Sequence, residues 1–553
     1  MSLHPQPFTP VPAETARVAR AAFPKGNRYM RLRDERGEIY ADAAFAPLFS
    51  HRGQPAAAPW RLAVVTLLQY AEGLSDRQAA EAVRSRIDWK YALNLELTDA
   101  GFDHSVLCEF RARLLTGSAE QLLLDALLRR CRERKLLKAR GRQRTDSTHV
   151  LAALRTLSRL EHVGTTLRHA LNTLAVAAPE WVRAHVEPAW GERYGAQVEE
   201  YRLPKGQAER LAWAQTVGAD GHRLLAAIYA ASTPEWVRQL PAVETLRHVW
   251  VQQYYLVQEK LQWRTAEAHG LPPSAVGIRS PHDPQARYSD KGGTTWVGYK
   301  AHLTEPCDDE TPRLITQVET TLATVPDHAV LDELHHHLAA KALLPAEHLV
   351  DGGYVNAELL WRSTQDHGVD LCGPARPDTA WQAHAGKGFA AADFTFDWEQ
   401  RQAHCPGGQT SSSWQEATDR YGKAQLKIKF AVRHCQPCVH RPDCTRIARR
   451  ILTIRPRAEF LAQAHARQRQ QRADYTARYA QRAGVEGTLS QAVRRGGLRR
   501  ARYVGLAKTH LQHVVTATAL NLVRLSNWLA QVPLAKTRRS AFAQLMQREP
   551  EPC

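Results

Sequence analysis

The chain of 553 residues carries 74 Lys+Arg against 56 Asp+Glu, a formal net charge of +18, and 44% hydrophobic residues. This is globular composition at a length of roughly three or four domains, and it excludes collagen-like, wholly disordered and disulfide-scaffold chains. The apolar-leaning stretch at residues 510–523 falls short of the roughly 18 to 20 apolar residues that cross a bilayer, so no membrane partner is expected. Residues 1–27 lack the apolar core of a signal peptide, which places the chain in a reducing cytoplasm with its nine Cys as thiols or metal ligands. So wide a spread of positive charge favours a polyanion, nucleic acid above all, over a small acidic metabolite.

From residue 60 to 115 the apolar spacing is helical. Ser75 stands three residues before Gln78, the reciprocal pattern that caps a helix start, and Asp103-His104-Ser105 opens another helix. With Arg77, Arg84, Arg86, Arg111 and Arg113, these short helices predict a helix-turn-helix-like DNA-binding domain over residues 1–135. Residues 154–268 read as mostly helix, with Trp181, Trp190, Trp213, Trp236 and Trp250 as packing anchors. Residues 296–303 and 314–320 read as neighbouring strands, Pro326-Asp327 opens a helix reaching Leu338, and 347–350 and 369–372 are further strands around a helix capped by Asn356. Strand and helix alternate, which predicts an α/β sheet core over residues 136–373 with a helical insertion at about 155–275. Residues 374–457 predict a β-rich insertion, with strands at 394–398, 426–430 and 451–454. Two helical patterns, 458–493 and 506–529, form C-terminal helices of the core over 458–530, and 531–553 is a tail.

Three acids stand where such a sheet would place a site. Asp146 lies in Arg144-Thr145-Asp146-Ser147-Thr148-His149, and Glu486 lies on a helix. Asp351 follows a short apolar run and precedes Gly352-Gly353-Tyr354, at the carboxyl edge of a strand where α/β folds hold ligands. Two aspartates and a glutamate supply the hard oxygens that bind divalent cations in phosphoryl transfer. Tyr479-x-x-Arg482-x-x-x-Glu486 shares one helix face, since its members are three and seven residues apart.

Together with the contexts of Asp146 and Asp351, this pattern resembles the tyrosine-arginine-glutamate(-lysine) signature of the DDE transposases of bacterial insertion sequences, whose catalytic core is ribonuclease H-like. The neighbouring Ala483-Gly484-Val485-Glu486-Gly487-Thr488, Gly497-Leu498-Arg499-Arg500-Ala501-Arg502-Tyr503 and Gly505-Leu506-Ala507-Lys508 are similar to the group named insertion sequence eleven-eighty-two, over about residues 23–529. The resemblance implies a triad of Asp146, Asp351 and Glu486 holding two Mg²⁺ or Mn²⁺ ions, with Tyr479 and Arg482 beside the phosphates. The family's lysine seven residues after the glutamate falls on Val493, with Arg494 as its replacement. Gly484 and Gly487 flank Glu486 at a cost to the helix of roughly 1 kcal/mol each, which reads as close approach of DNA or as an ordinary helix break.

Arg494, Arg495, Arg499, Arg500, Arg502 and Lys508 follow the glutamate and are expected to contact DNA phosphates, with Arg287, Lys291 and Lys300 lining the same channel. Cys435-x-x-Cys438, Cys444 and Cys405 match a tetrahedral Zn²⁺ site, with His404, His434 or His440 as substitute ligands and reduced buried thiols as the alternative. Cys108, Cys131, Cys307, Cys372 and Cys553 are expected to be unrelated to it, and His335-His336-His337 reads as a solvated helix face.

The resemblance implies an enzyme that binds the terminal inverted repeats of its own element in double-stranded DNA. It cleaves a phosphodiester to free a 3′-hydroxyl, joins that end to target DNA, and pairs the two ends as a homodimer in the bacterial cytoplasm, associated with the nucleoid. In the family the β insertion can handle the cut end, which makes Trp398 or Trp414 a stacking platform for a displaced base. The alternatives are a metal-dependent nuclease that cuts without joining and a non-catalytic DNA-binding regulator; three retained acids disfavour the latter, because they weaken phosphate binding.

Overall fold

The computed structural model of the chain describes residues 1–5, 7–36, 39–386, 389–533 and 540–546. Cys553 and much of the 531–553 tail lie outside them. The chain divides into two compact units.

One unit comprises Met1–Phe110, Pro312–Leu314 and Thr518–Cys553. Its helices include Ala13–Ala22, Arg28–Arg36, Pro59–Glu72, Asp76–Ser85 and Ile87–Ala92. Pro59 opens its helix with the φ it already prefers, and Gly73 closes it in the left-handed conformation at φ 72°. Ser75 and Gln78 form the expected reciprocal cap of the next helix. Trp60, Leu67, Leu68, Tyr70, Trp89 and Tyr91 are buried as its core. One of the predicted groove cations is taken up within this bundle: Arg86 bonds Glu72 and Asp88 at 2.6 and 2.7 Å, whereas Arg84 makes an exposed pair with Glu81 one turn away. Arg77 is exposed.

The other unit comprises Arg111–Thr311 and Ile315–Ala517. Arg111 is buried here, its guanidinium 5.5 Å from the Tyr503 ring, so it is no groove-facing cation. The strands run in order as β1 (Arg142–Leu151), β2 (Tyr254–Val257), β3 (Lys260–Trp263), β4 (Arg287–Lys291), β5 (Thr294–Pro306), β6 (Gln317–Leu322), β7 (Glu347–Val350) and β8 (Asp370–Cys372). β1 is the hub, antiparallel to β5 and parallel to β7. β7 continues parallel to β8, whereas β5 takes β4 and β6 antiparallel. This mixed sheet fits a ribonuclease H-like core. Helix Leu331–Ala340 precedes β7 and helix Ala357–His367 follows it, the latter capped by Asn356 as expected.

Several expectations are corrected. β6 begins at Gln317, because a tight turn in which Leu314 N–H bonds the Pro312 carbonyl precedes it. The segment read as mostly helix, with no strand expected in it, contains the β2–β3 hairpin, whose turn residues Gln258 and Glu259 both have positive φ. Neither is a residue that announces such a turn. Trp190 and Trp250 are buried and Trp181 and Trp213 pack against the same core, but Trp236 is 46% exposed and anchors little. The histidine run is not a solvated face: His335 is fully buried, and His337 bonds Glu319 of β6 at 2.6 Å.

A β-rich module follows β8. β9 (Thr395–Asp397) and β10 (Gln402–His404) form one hairpin, and β11 (Ser413–Thr418), β12 (Ala424–Lys429) and β13 (Ile451–Ile454) form a three-stranded sheet. Phe394, Ala403, Leu426, Ile428, Phe430, Leu452 and Ile454 are its core. The C-terminal pattern is broken into helices Arg457–Gln470, Ala473–Ala480 and Gly484–Gly496, with a 3-10 turn at Gln481–Ala483, and is followed by helix Leu506–Leu529.

Within the helical insertion, the Trp250 indole lies in a notch of helix Gln207–Ile228, donating to the Gly218 carbonyl at 3.0 Å. A Cβ at Gly221 would lie 2.0 Å from the Trp250 ring. Gly221→Ala is therefore expected to destabilise the protein by about 1–3 kcal/mol, through displacement of the indole. Gly487→Ala, at a helical position with open space, is the control and should be neutral or stabilising by up to about 1 kcal/mol. Urea unfolding of the two variants checks the pair.

Candidate active site

Arg142, Arg144 and Asp146 alternate along β1 and therefore share one face of the strand. Asp146 sits opposite Leu303 of β5 in the middle of the sheet. Its Oδ1 accepts the Ser147 N–H at 2.7 Å, and its Oδ2 accepts Arg482 Nη1 at 3.0 Å. Burial pushes this carboxyl above the usual aspartate range, and the nearby Asp351 charge adds to that; the Ser147 and Arg482 hydrogen bonds oppose both without cancelling them. Asp351 begins the turn after β7, where its Oδ1 accepts the Gly353 N–H at 2.9 Å.

Glu486 comes from the first turn of helix Gly484–Gly496. Its side chain is 61% exposed, and its Oε1 accepts Arg482 Nη2 at 2.8 Å. Arg482 thus bridges Asp146 and Glu486 with two nitrogens of one guanidinium. Tyr479 stacks on Tyr475, their rings 5.5 Å apart and 7° from parallel. Burial pushes its phenol up to about 12, so the group remains a proton donor at neutral pH.

Buried polar contacts fix the helix bearing Glu486 against the sheet. Arg144 of β1 donates Nε and Nη2 to Glu305 of β5 at 2.9 and 2.5 Å, and Nη1 to the Gln481 carbonyl at 2.5 Å. Glu305 also accepts the Thr488 hydroxyl at 2.5 Å. Gly484 has its reason here: a Cβ would lie 2.0 Å from Arg144 Nη1, so the glycine admits a protein guanidinium rather than DNA. Gly487 faces open space. A second arginine set secures the preceding helices: Arg142 bonds Glu347 and Gln481, Arg478 bonds Glu347 and Asp370, and Arg469 bonds Asp370.

Beside the acids, Lys300 and Lys291 both donate to Asp327, at 2.7 and 3.3 Å. Lys291 also senses the charges of Asp351 and Asp146. Arg287, expected with them, instead donates to the Ala275 carbonyl at 3.0 Å and to the Pro284 carbonyl. The sequence reading missed Arg144, Glu305 and Asp327. The alternation of Arg142, Arg144 and Asp146 on one strand face was the available signal for the first, whereas Asp327 looked like an ordinary helix start.

Arg494, Arg495, Arg499, Arg500, Arg502 and Lys508 are all exposed. Their segment is tied to the end of β1: Leu151 N–H bonds the Arg499 carbonyl and Ala501 N–H bonds the Leu151 carbonyl, at 2.8 and 2.9 Å. Arg499 further donates to the Thr148 hydroxyl, two residues from Asp146 along the strand.

In the β module, half-buried Cys405, Cys435 and Cys444 pack against the apolar core. Burial pushes the Cys444 thiol up, and Cys435, Cys405 and Cys438 push it further, against the charge of Arg450. The Gln409 N–H points at Cys405 Sγ from 3.3 Å. Trp398 and Trp414, edge to face at 5.4 Å, line an open groove of about 730 Å³ with Arg401, Glu416 and Arg457.

Residues 404–526 match a family model described as transposase DDE domain, and residues 17–113 match one described as transposase domain (DUF772). In these two segments the chain is similar to transposases. The matches support a DDE transposase of insertion sequences. The first segment contains Tyr479, Arg482, Glu486, the four clustered thiols and the basic run, whereas Asp146 and Asp351 lie upstream of it. No curated protein and no solved structure matches the chain.

The Arg144–Glu305 pair is buried, at 4% and 0% side-chain exposure. Arg144→Met leaves Glu305 without its guanidinium and is expected to cost about 3–5 kcal/mol. Combining it with Glu305→Leu should recover much of that loss, which chemical unfolding of the three proteins would measure.

Proposed function

We propose that this protein is a DDE transposase of the group named insertion sequence eleven-eighty-two. It binds the terminal inverted repeats of its element, cleaves the phosphodiester at the element's ends and joins the freed 3′-hydroxyl to target DNA. The observation that carries this reading is the Arg482 guanidinium bridging Asp146 and Glu486, from two distant segments, with Asp351 near enough for its charge to raise the Asp146 carboxyl.

The donor set fits divalent metal. All three groups are carboxylates, the hard oxygen ligands that Mg²⁺ and Mn²⁺ prefer, and a guanidinium already occupies a cation position between two of them. Two such ions held by Asp146, Asp351 and Glu486 would neutralise phosphate charge and make water or a 3′-hydroxyl a better nucleophile. Arg482, displaced from the acids, turns its planar fork to a phosphate and balances charge that develops there. Tyr479, held protonated, donates a hydrogen bond to a neighbouring phosphate oxygen. The exposed arginines after Glu486 receive the DNA backbone on its way to the acids, since the hydrogen bonds to Leu151 hold that segment beside β1.

Cys405, Cys435, Cys438 and Cys444 would hold a structural Zn²⁺ once drawn together, since no three of their sulfurs lie within 4.8 Å of one another; the amide directed at Cys405 Sγ suits a thiolate ligand. Trp398 and Trp414 offer a stacking surface for a displaced base. Two ends must be brought together before joining, so the reacting form is a homodimer on DNA, acting on the nucleoid in the bacterial cytoplasm.

The decisive test incubates the purified protein with labelled DNA bearing the element's ends, in Mg²⁺ or in EDTA. Metal-dependent cleavage and joining are expected, and both should fall by at least about a thousandfold in Asp351→Asn and Glu486→Gln while DNA binding persists. Cutting without strand transfer would assign a nuclease, and salt-sensitive binding without cutting a regulator. Replacing both Arg494 and Arg495 with Ala is expected to weaken binding to every sequence alike and to reduce the slope of log affinity against log salt by about 2, measured by fluorescence anisotropy.

A further inference from the structure

Helix Leu331–Ala340 precedes β7 and helix Ala357–His367 follows it, so these two helices flank the strand that delivers Asp351. Where they meet, Asp332 and His336 sit one turn apart on the first helix, and His367 ends the second. Among the described residues, these three form the only group of three or more His, Cys, Asp or Glu side chains whose donor atoms all lie within 4.8 Å of one another.

The detailed contacts resemble a metal site with its outer contacts already made. His367 Nε2 lies 3.1 Å from Asp332 Oδ1. Two ligands on a tetrahedral ion with bonds near 2.0–2.1 Å stand about 3.3 Å apart, so this pair already has that separation. The other carboxylate oxygen, Asp332 Oδ2, accepts Arg362 Nη2 at 3.2 Å, and Arg362 Nε is held by Asp366 at 3.0 Å. Asp332 can therefore bind an ion through Oδ1 and keep its arginine on Oδ2. His336 Nδ1 faces the Asp332 carbonyl oxygen at 2.9 Å, a partner that only accepts. The proton is consequently on Nδ1, leaving the Nε2 lone pair for a metal, the arrangement in which ligating histidines are usually oriented. The His336 and His367 rings stand 4.7 Å apart at 89°, and buried His335 packs edge-on to His367 from the other side. His367 is only 7% exposed, whereas His336 is exposed and leaves a fourth position open to water.

We propose that Asp332, His336 and His367 bind a borderline transition-metal ion, Zn²⁺ in the first place, that staples the two helices on either side of Asp351. Two imidazoles select Zn²⁺, Co²⁺ or Ni²⁺ over Mg²⁺, which favours oxygen. The site shares no residue with the acid triad or the thiol cluster, so it stands whether or not those bind metal.

Full-length protein, stripped with EDTA, would be titrated with Zn²⁺ by calorimetry, and its thermal midpoint followed with Zn²⁺ or with Mg²⁺ alone. A Cys435→Ser/Cys438→Ser background removes the thiol cluster from the measurement. Zn²⁺ binding and a raised midpoint are expected in that background, and His336→Ala and His367→Gln should each weaken binding at least tenfold and abolish the shift. With Co²⁺, the visible spectrum of the same background should change without a sulfur-to-metal charge-transfer band. Equal Zn²⁺ affinity in the background, His336→Ala and His367→Gln proteins, or no Zn²⁺ bound in the background at all, would overturn the proposal. Should the Cys variant fail to fold, the His variants in the otherwise unaltered chain are compared for stoichiometry instead: one equivalent of Zn²⁺ fewer supports the site and an unchanged number overturns it.

Discussion

Arg144 and Glu305 face each other directly across β1 and β5, in a region that admits almost no water. Neither charge is tolerable there alone, because removing an ion from water costs several kcal/mol before any partner repays it. The pair is completed by the Gln481 carbonyl and the Thr488 hydroxyl, both from the C-terminal segment that carries Arg482 and Glu486. Satisfying a buried charge and positioning the third acid are therefore one event. Gly484 exists in that segment because the guanidinium occupies the volume of a Cβ.

The same economy of charge governs the surface of the site. The +18 net charge of the chain would predict arginines pointing outward everywhere, yet Arg142, Arg144, Arg469 and Arg478 are turned inward, onto Glu305, Glu347, Asp370 or neighbouring carbonyls. They are structural pins. Exposed cations also follow Glu486, in a segment whose backbone is bonded to the end of β1. Positive charge is thus divided between inward-turned groups that hold the acids in place and exposed groups near the end of β1.

Elements with strong local signals were legible in the sequence. The Ser75–Gln78 cap, the strand Glu347–Val350 and the helix Leu506–Leu529 need only nearby residues to be specified, and they stand where periodicity and capping put them. Asp351 was legible for the same reason, as an acid after a short apolar strand and before two glycines. What escaped notice depends on partners far away in the chain. The burial of Arg111 and His335, the role of Arg144 and the reason for Gly484 follow from contacts that no local window contains. The β2–β3 hairpin was hidden differently, since Gln258 and Glu259 adopt left-handed backbone without being residues that favour it.

The coupling of Glu486 to Arg144 also orders events in time. β1 leaves the ribosome early, bearing Asp146 and an arginine whose partners are still unmade; β5 supplies Glu305 first, and the segment from Gln481 to Thr488 closes the set only after the β module has been threaded out. Until then the nascent chain can present two aspartates but not the third acid. A chain stopped short of Gly484 would lack Glu486 and Thr488 and leave the buried Arg144–Glu305 pair incomplete, so the last part of the core to be made is also the part that closes it.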